Sequence, residues 1–91
     1  MGDNAREVTI VNKRGLHARA SAKFVAAVAE MDGTKVTVSN GSNSAGGGSI
    51  LGLMMLGAAK GDTITIHVEG PQADAVLADL CDMVEDGFGE T

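Results

Sequence analysis

Ninety-one residues with a formal charge of −5 provide for one small domain, spanning 1–91, with a single core. Two phenylalanines are the only aromatic residues, so that core must be aliphatic. The acidic balance argues against a general affinity for nucleic acid, no apolar run approaches the ~20 residues of a membrane span, and the lone Cys81 rules out both an internal disulfide and a cysteine-built metal site.

No charged and apolar leader pattern opens the chain, and a cytoplasmic protein with no cofactor or metal is expected. After a polar start, residues 6–11 alternate, with Val8 and Ile10 on one face and Glu7 and Thr9 on the other, which predicts a half-buried strand. Asn12-Lys13-Arg14-Gly15 makes a turn. A helical pattern then begins at His17 and runs through Phe24, Val25 and Val28 to about Glu30, where Asp32-Gly33 stops it.

The stretch around His17 is unusual in its charge. No acid lies between Glu7 and Glu30, and four of the seven basic residues (Lys13, Arg14, Arg19 and Lys23) fall inside that window. The first turn of a helix adds unpaired N–H groups and partial positive charge, which together suit an anion such as a phosphoryl group. The same field is expected to keep His17 neutral, leaving a lone pair able to attack phosphorus. The plainer alternative is a histidine that merely caps a helix beside a solvated basic turn.

Residues 35–39 alternate again, with Val36 and Val38 inward, and Asn40-Gly41 predicts a two-residue hairpin turn of type I′. The return, residues 42–45, is short and polar, as suits a sheet edge. Gly46, Gly47 and Gly48 predict a tight crossing into a short helix; a nucleotide-binding loop is the weaker reading, because no Lys-Ser/Thr follows. Ser49 is placed to cap that helix. Ile50, Leu51, Leu53, Met54, Met55 and Leu56 cannot all face inward over two turns, so part of them forms an exposed docking patch, unless the helix is wholly buried. A phosphate on Ser49 would be favoured by the helix end and would place about two negative charges beside the patch.

Gly57 to Asp62 forms a turn, and residues 63–68 give the cleanest alternation, with Ile64, Ile66 and Val68 inward and His67 on the open, solvated face. Gly70-Pro71 ends this strand, with Pro71 suited to a first helical turn. Ala73, Val76, Leu77, Leu80 and Val84 then recur at helical spacing, and Cys81 beside them is expected to pack rather than react. Seven of the twelve acids lie from Glu69 onward, which reads as a solvated face. The order strand, helix, strand, strand, helix, strand, helix predicts an α+β open-faced β-sandwich: a four-stranded, mostly antiparallel sheet with three helices packed on one face.

Gly15-Leu16-His17-Ala18-Arg19, the segment from Ser49 to Ala58 and the strand from Gly61 to Ile66 together resemble the histidine-containing phosphocarrier (HPr) family of the bacterial phosphotransferase system. The likeness covers residues 6–86. It implies that His17 accepts a phosphoryl group on Nδ1 from enzyme I and passes it to an enzyme IIA domain, so that the chain is a carrier rather than a free-standing enzyme. It further implies that Arg19 and the backbone amides of residues 18–20 (Ala18, Arg19, Ala20) hold the phosphate. Ser49 corresponds to the serine modified by an HPr kinase/phosphorylase, and Ile50, Leu51 and Met54 fall on the family's docking surface. Two places depart from the family pattern: Ala20 stands where many members have proline, and glycines 46–48 replace more usual polar residues. The rival readings are a regulatory binding module acting through the Ser49 helix without phosphoryl relay, and a small-metabolite domain using the glycine loop.

Overall fold

The alternation at Ile64, Ile66 and Val68 builds the middle of the sheet. The structure, a computed structural model, describes residues 4–31 and 33–90. Strand β4 (Thr63–Glu69) pairs antiparallel with β1 (Asn4–Thr9) on one side and with β2 (Lys35–Asn40) on the other, and β3 (Asn43–Gly46) completes the order β1-β4-β2-β3. All pairs are antiparallel, and Val8 lies opposite Ile64 while Val38 lies opposite Ile66, so the inward side chains form continuous apolar rows. Helices α1 (Ala18–Ala29), α2 (Ile50–Met55) and α3 (Ala73–Glu85) cover the inward face. The expected open-faced sandwich is the observed architecture.

The elements follow from their side chains. α1 turns Ala20, Ser21 and Phe24 inward, and α3 does so with Val76, Leu77, Leu80, Cys81 and Val84. Cys81 packs in the core as its spacing implied, and burial pushes its thiol up, partly opposed by Arg6. Ala20 has no exposed surface, so a core methyl on a good helix former fills this position. His67 lies on the open face, with Nδ1 3.7 Å from a Glu69 carboxylate oxygen.

Four local expectations need correction. β1 ends at Thr9 rather than residue 11: Ile10 stays buried and exchanges backbone hydrogen bonds with Gly61 and Asp62, but Val11 swings out to solvent. The hairpin turn is one residue later than expected, since Asn40 pairs with Asn43 and the loop is Gly41-Ser42. Gly41 alone has positive φ, which is the II′ pattern rather than I′. Pro71 lies in the turn ahead of α3, which begins at Ala73 behind Gln72. The acidic tail is not all a solvated face: a 3-10 turn at Gly87–Gly89 buries Phe88 to 2% exposure. Asp32, half of the expected stop to α1, lies outside the described residues.

The crossing into α2 is tight, as the three glycines suggested. Gly47 donates to the carbonyl of Val36 at 2.8 Å. A Cβ at Gly47 would stand 2.7 Å from Val36 Cγ1, so only glycine lets the chain pass that close over the core.

Candidate functional site

His17 is carried by a turn that glycine alone permits. Gly15 has φ +62°, and a Cβ there would come within 2.2 Å of the Ala58 carbonyl oxygen. That carbonyl accepts the N–H of Leu16 at 3.0 Å, tying the turn to the loop between α2 and β4. Leu16 is itself buried, so the next residue is thrown outward at the mouth of α1.

His17 is the N-cap residue of α1, with extended backbone angles, and its imidazole makes no capping hydrogen bond. The first intrahelical bond at this end runs from the Ser21 N–H to the His17 carbonyl at 2.9 Å, so the N–H groups of residues 18–20 have no helical acceptor. Ala18 and Arg19 are exposed, whereas Ala20 is fully buried. Of the three amides expected to meet a phosphate, that of Ala20 is therefore closed off from solvent, and those of Ala18 and Arg19 stay open.

The imidazole side chain is 20% exposed and borders an open depression of about 750 Å³. Lys13, Arg14, Arg19 and Lys23 line it too, as their crowding in sequence implied, and Lys60 joins them from the turn before β4. Lys60 escaped the sequence reading because its approach depends on the Leu16–Ala58 contact, for which no local pattern exists. Among the described residues, Arg19 has no hydrogen-bonding or ion-pair partner. Lys23 is differently employed: its ammonium donates to the Phe88 carbonyl at 2.7 Å.

The surroundings of the histidine are not purely positive, contrary to expectation. Glu90 returns from the far end of the chain and places Oε2 2.6 Å from His17 Nε2. Asn12, 5% exposed, donates from Nδ2 to the other oxygen of that carboxylate at 3.1 Å and to the Gly15 carbonyl at 2.8 Å. The hydrogen bond with His17, and after it the one from Asn12, holds the Glu90 carboxyl below the usual carboxylate range. Neither Glu90 nor Asn12 stood out in sequence as a site residue. A general acidic run gives no sign that one of its members turns inward, and the only hint was Phe88, an aromatic in a chain that has two.

Ser49 caps α2 as anticipated, its hydroxyl accepting the Gly52 N–H at 2.9 Å. Leu53 and Leu56 are buried, but Ile50, Leu51, Met54 and Met55 are 41%, 67%, 40% and 75% exposed, so the surplus apolar residues do face outward. Met55 belongs with the expected Ile50, Leu51 and Met54. α1 and α2 pack side by side, yet no residue of α2 lines the depression at His17. Among the described residues, no group of three or more His, Cys, Asp or Glu side chains stands together as a metal site would require, and no helix is long and apolar enough to cross a membrane.

Comparison with known proteins agrees with this geometry. Residues 4–86 match the family model described as the PTS HPr component phosphorylation site. The chain is 44% identical over 85 residues to phosphocarrier protein NPr of Shewanella violacea, covering 93% of this chain and 92% of that protein. It is 41% identical over 86 residues to phosphocarrier protein HPr of Pseudomonas aeruginosa, covering 94% and 96%. The crystal structure of HPr-C-His from Thermoanaerobacter tengcongensis superimposes with a TM-score of 0.90 at 31% identity, over 97% of this chain and 98% of that one. With its fold, its outward histidine at a helix mouth and these relatives in agreement, the chain belongs to the HPr family of phosphocarriers of the phosphotransferase system.

Proposed function

We propose that His17 is the residue that carries the phosphoryl group, accepting it from phosphorylated enzyme I and giving it to an enzyme IIA domain in the cytoplasm, with residues 1–91 acting as one carrier domain. The observation that carries this reading is the placement of a partly exposed imidazole at an uncapped helix mouth, bordering the same depression as Arg19. In the forward step the lone pair on Nδ1 forms a bond to phosphorus, and the bond from phosphorus to the donor breaks with its electron pair returning to the donor. The reverse sequence delivers the group onward. Phosphoryl transfer needs alignment and charge stabilisation more than covalent help. Arg19 and the amides of Ala18 and Arg19 supply that stabilisation in this reading, and Ala20 serves instead to anchor the helix.

The exposed apolar face of α2 is assigned to partner docking, and Ser49 to regulation by an HPr kinase/phosphorylase. The Ser49 hydroxyl is exposed yet engaged with the Gly52 N–H, so phosphorylation would replace a neutral cap by a charged one at the edge of the docking face. Incubation with enzyme I and phosphoenolpyruvate, followed by intact mass at neutral and acid pH, tests the central claim. An acid-labile gain of one phosphate is expected, absent from His17→Ala. A wild-type chain that stays unmodified overturns it.

The second reading, a binding module acting through α2 alone, is favoured by Leu51 and Met55, the most exposed large apolar residues among those described. His17→Ala separates the two: a module keeps its regulatory effect on the partner, and a carrier loses the relay.

A further inference from the structure

We propose that Glu90 is a positioning residue for phosphoryl transfer, one that holds His17 as the Nε2–H tautomer and so reserves Nδ1 for the phosphoryl group. This rests on His17 being the carrier. An imidazole nitrogen and a carboxylate oxygen 2.6 Å apart must share a proton. The carboxylate has none to give, because its own hydrogen bonds favour the ionised form, so Nε2 is the donor. A neutral ring with its proton on Nε2 has its free lone pair on Nδ1 alone.

The contact is built rather than incidental. Glu90 is fixed at its second oxygen by buried Asn12, and Asn12 is fixed in turn by the Gly15 carbonyl of the histidine's own turn. The chain leading to Glu90 is anchored twice more, by the Lys23 bond to the Phe88 carbonyl and by the Phe88 ring. Phe88 sits at φ +57°, in the left-handed region that disfavours side chains. The turn keeps that conformation because it sends the ring into the core and the carboxylate to the imidazole. Three separate devices thus converge on one ring nitrogen.

The chemistry gives the carboxylate a second task. When the Nδ1 lone pair bonds to phosphorus while Nε2 keeps its proton, the ring acquires positive charge shared between both nitrogens. A carboxylate on Nε2 faces that charge as it develops, in the way an acid orients and supports a catalytic histidine elsewhere. Its repulsion of the incoming anion is the opposing effect. It acts from the far nitrogen of the ring and is opposed by the cations of Lys13, Arg14, Arg19 and Lys60, which line the depression.

The test combines ring ¹⁵N NMR of the free protein with single-turnover phosphorylation by enzyme I. In the wild type, His17 is expected predominantly as the Nε2–H tautomer. Glu90→Ala should mix the tautomers and slow phosphorylation roughly 10-fold at saturating donor, with the donor concentration for half-maximal rate little changed. Glu90→Gln, whose amide oxygen can still accept from Nε2, should keep the tautomer while losing the charge, and fall between the two in rate. A Glu90→Ala chain with unaltered tautomer populations overturns the proposal, whether its rate falls or not, and leaves the carrier reading standing. A wild-type chain that takes no phosphate from enzyme I removes both.

Discussion

The starts of α1 and α2 are alike in form and opposite in how their first amides are met. Each follows a glycine-containing turn, and each N-cap residue has extended backbone angles. Ser49 folds its hydroxyl back onto the Gly52 N–H and closes its own helix end. His17 does not cap; its ring is drawn aside by Glu90, so the first amides of α1 stay without an acceptor from the cap. A helix end becomes a place for an anion when the side chain best placed to fill it is held elsewhere.

The contrast can be broken most completely at the histidine. His17→Ala should abolish acid-labile phosphorylation while leaving the amide spectrum of the folded chain in place; a variant still modified by enzyme I would show that the α1 mouth is not the site. Next in size is Gly15→Ala. The left-handed backbone costs about 1–2 kcal/mol, and a Cβ 2.2 Å from the Ala58 carbonyl adds strain, so a loss on the order of 3 kcal/mol in urea unfolding is expected. A loss below about 1 kcal/mol would mean that the turn carrying His17 can relax.

The α2 side is tested by Leu51→Glu combined with Met55→Glu. Both residues are exposed, so stability should move by about 0.5 kcal/mol or less per site, while transfer to partners falls roughly 10-fold. Unchanged transfer would take docking away from this face. Ser49→Ala should cost about 1 kcal/mol, seen as faster amide exchange within α2 and not within α1. The smallest effect concerns acidity. The Glu90 carboxyl is held below its ordinary range by His17 and Asn12, so what it contributes to stability is complete above the unfolded value of about 4.3 and fades as the pH falls through the lower folded value. Exchange at the Glu90 amide, bonded to the Gly87 carbonyl at 3.0 Å, should stay slow down to that range. Release well above it would contradict the contact.

Much of this arrangement was legible in the chain. Period-two alternation placed Ile64, Ile66 and Val68 in the central strand, and helical spacing placed Val76, Leu77 and Leu80 on the buried side of α3, because burial on one face imposes those periods. The charge anomaly around His17 pointed to the depression that Arg14 and Arg19 line. What stayed hidden has a common cause. The hairpin slipped by one residue because Asn40 keeps its place in the β2 ladder and leaves the positive φ to Gly41. Glu90 reaches the histidine, and Lys60 the depression beside it, only through tertiary contacts, and neither carries a local signature. Ala20 was expected to offer its amide, but the same periodicity that makes α1 amphipathic turns that residue into the core.

The hydrogen bond between His17 and Glu90 joins residues 73 apart in sequence, and β1, which leads into the histidine's turn, is paired with β4 rather than with its neighbour in the chain. Contacts of such span close late, because the entropy lost in bringing distant segments together precedes any gain. The hairpin of β2 and β3 can form from neighbours, while the reactive corner must wait for both extremities to arrive. A half-folded chain therefore has the histidine before Glu90 can reach it, and the hydrogen bond between them closes late in folding.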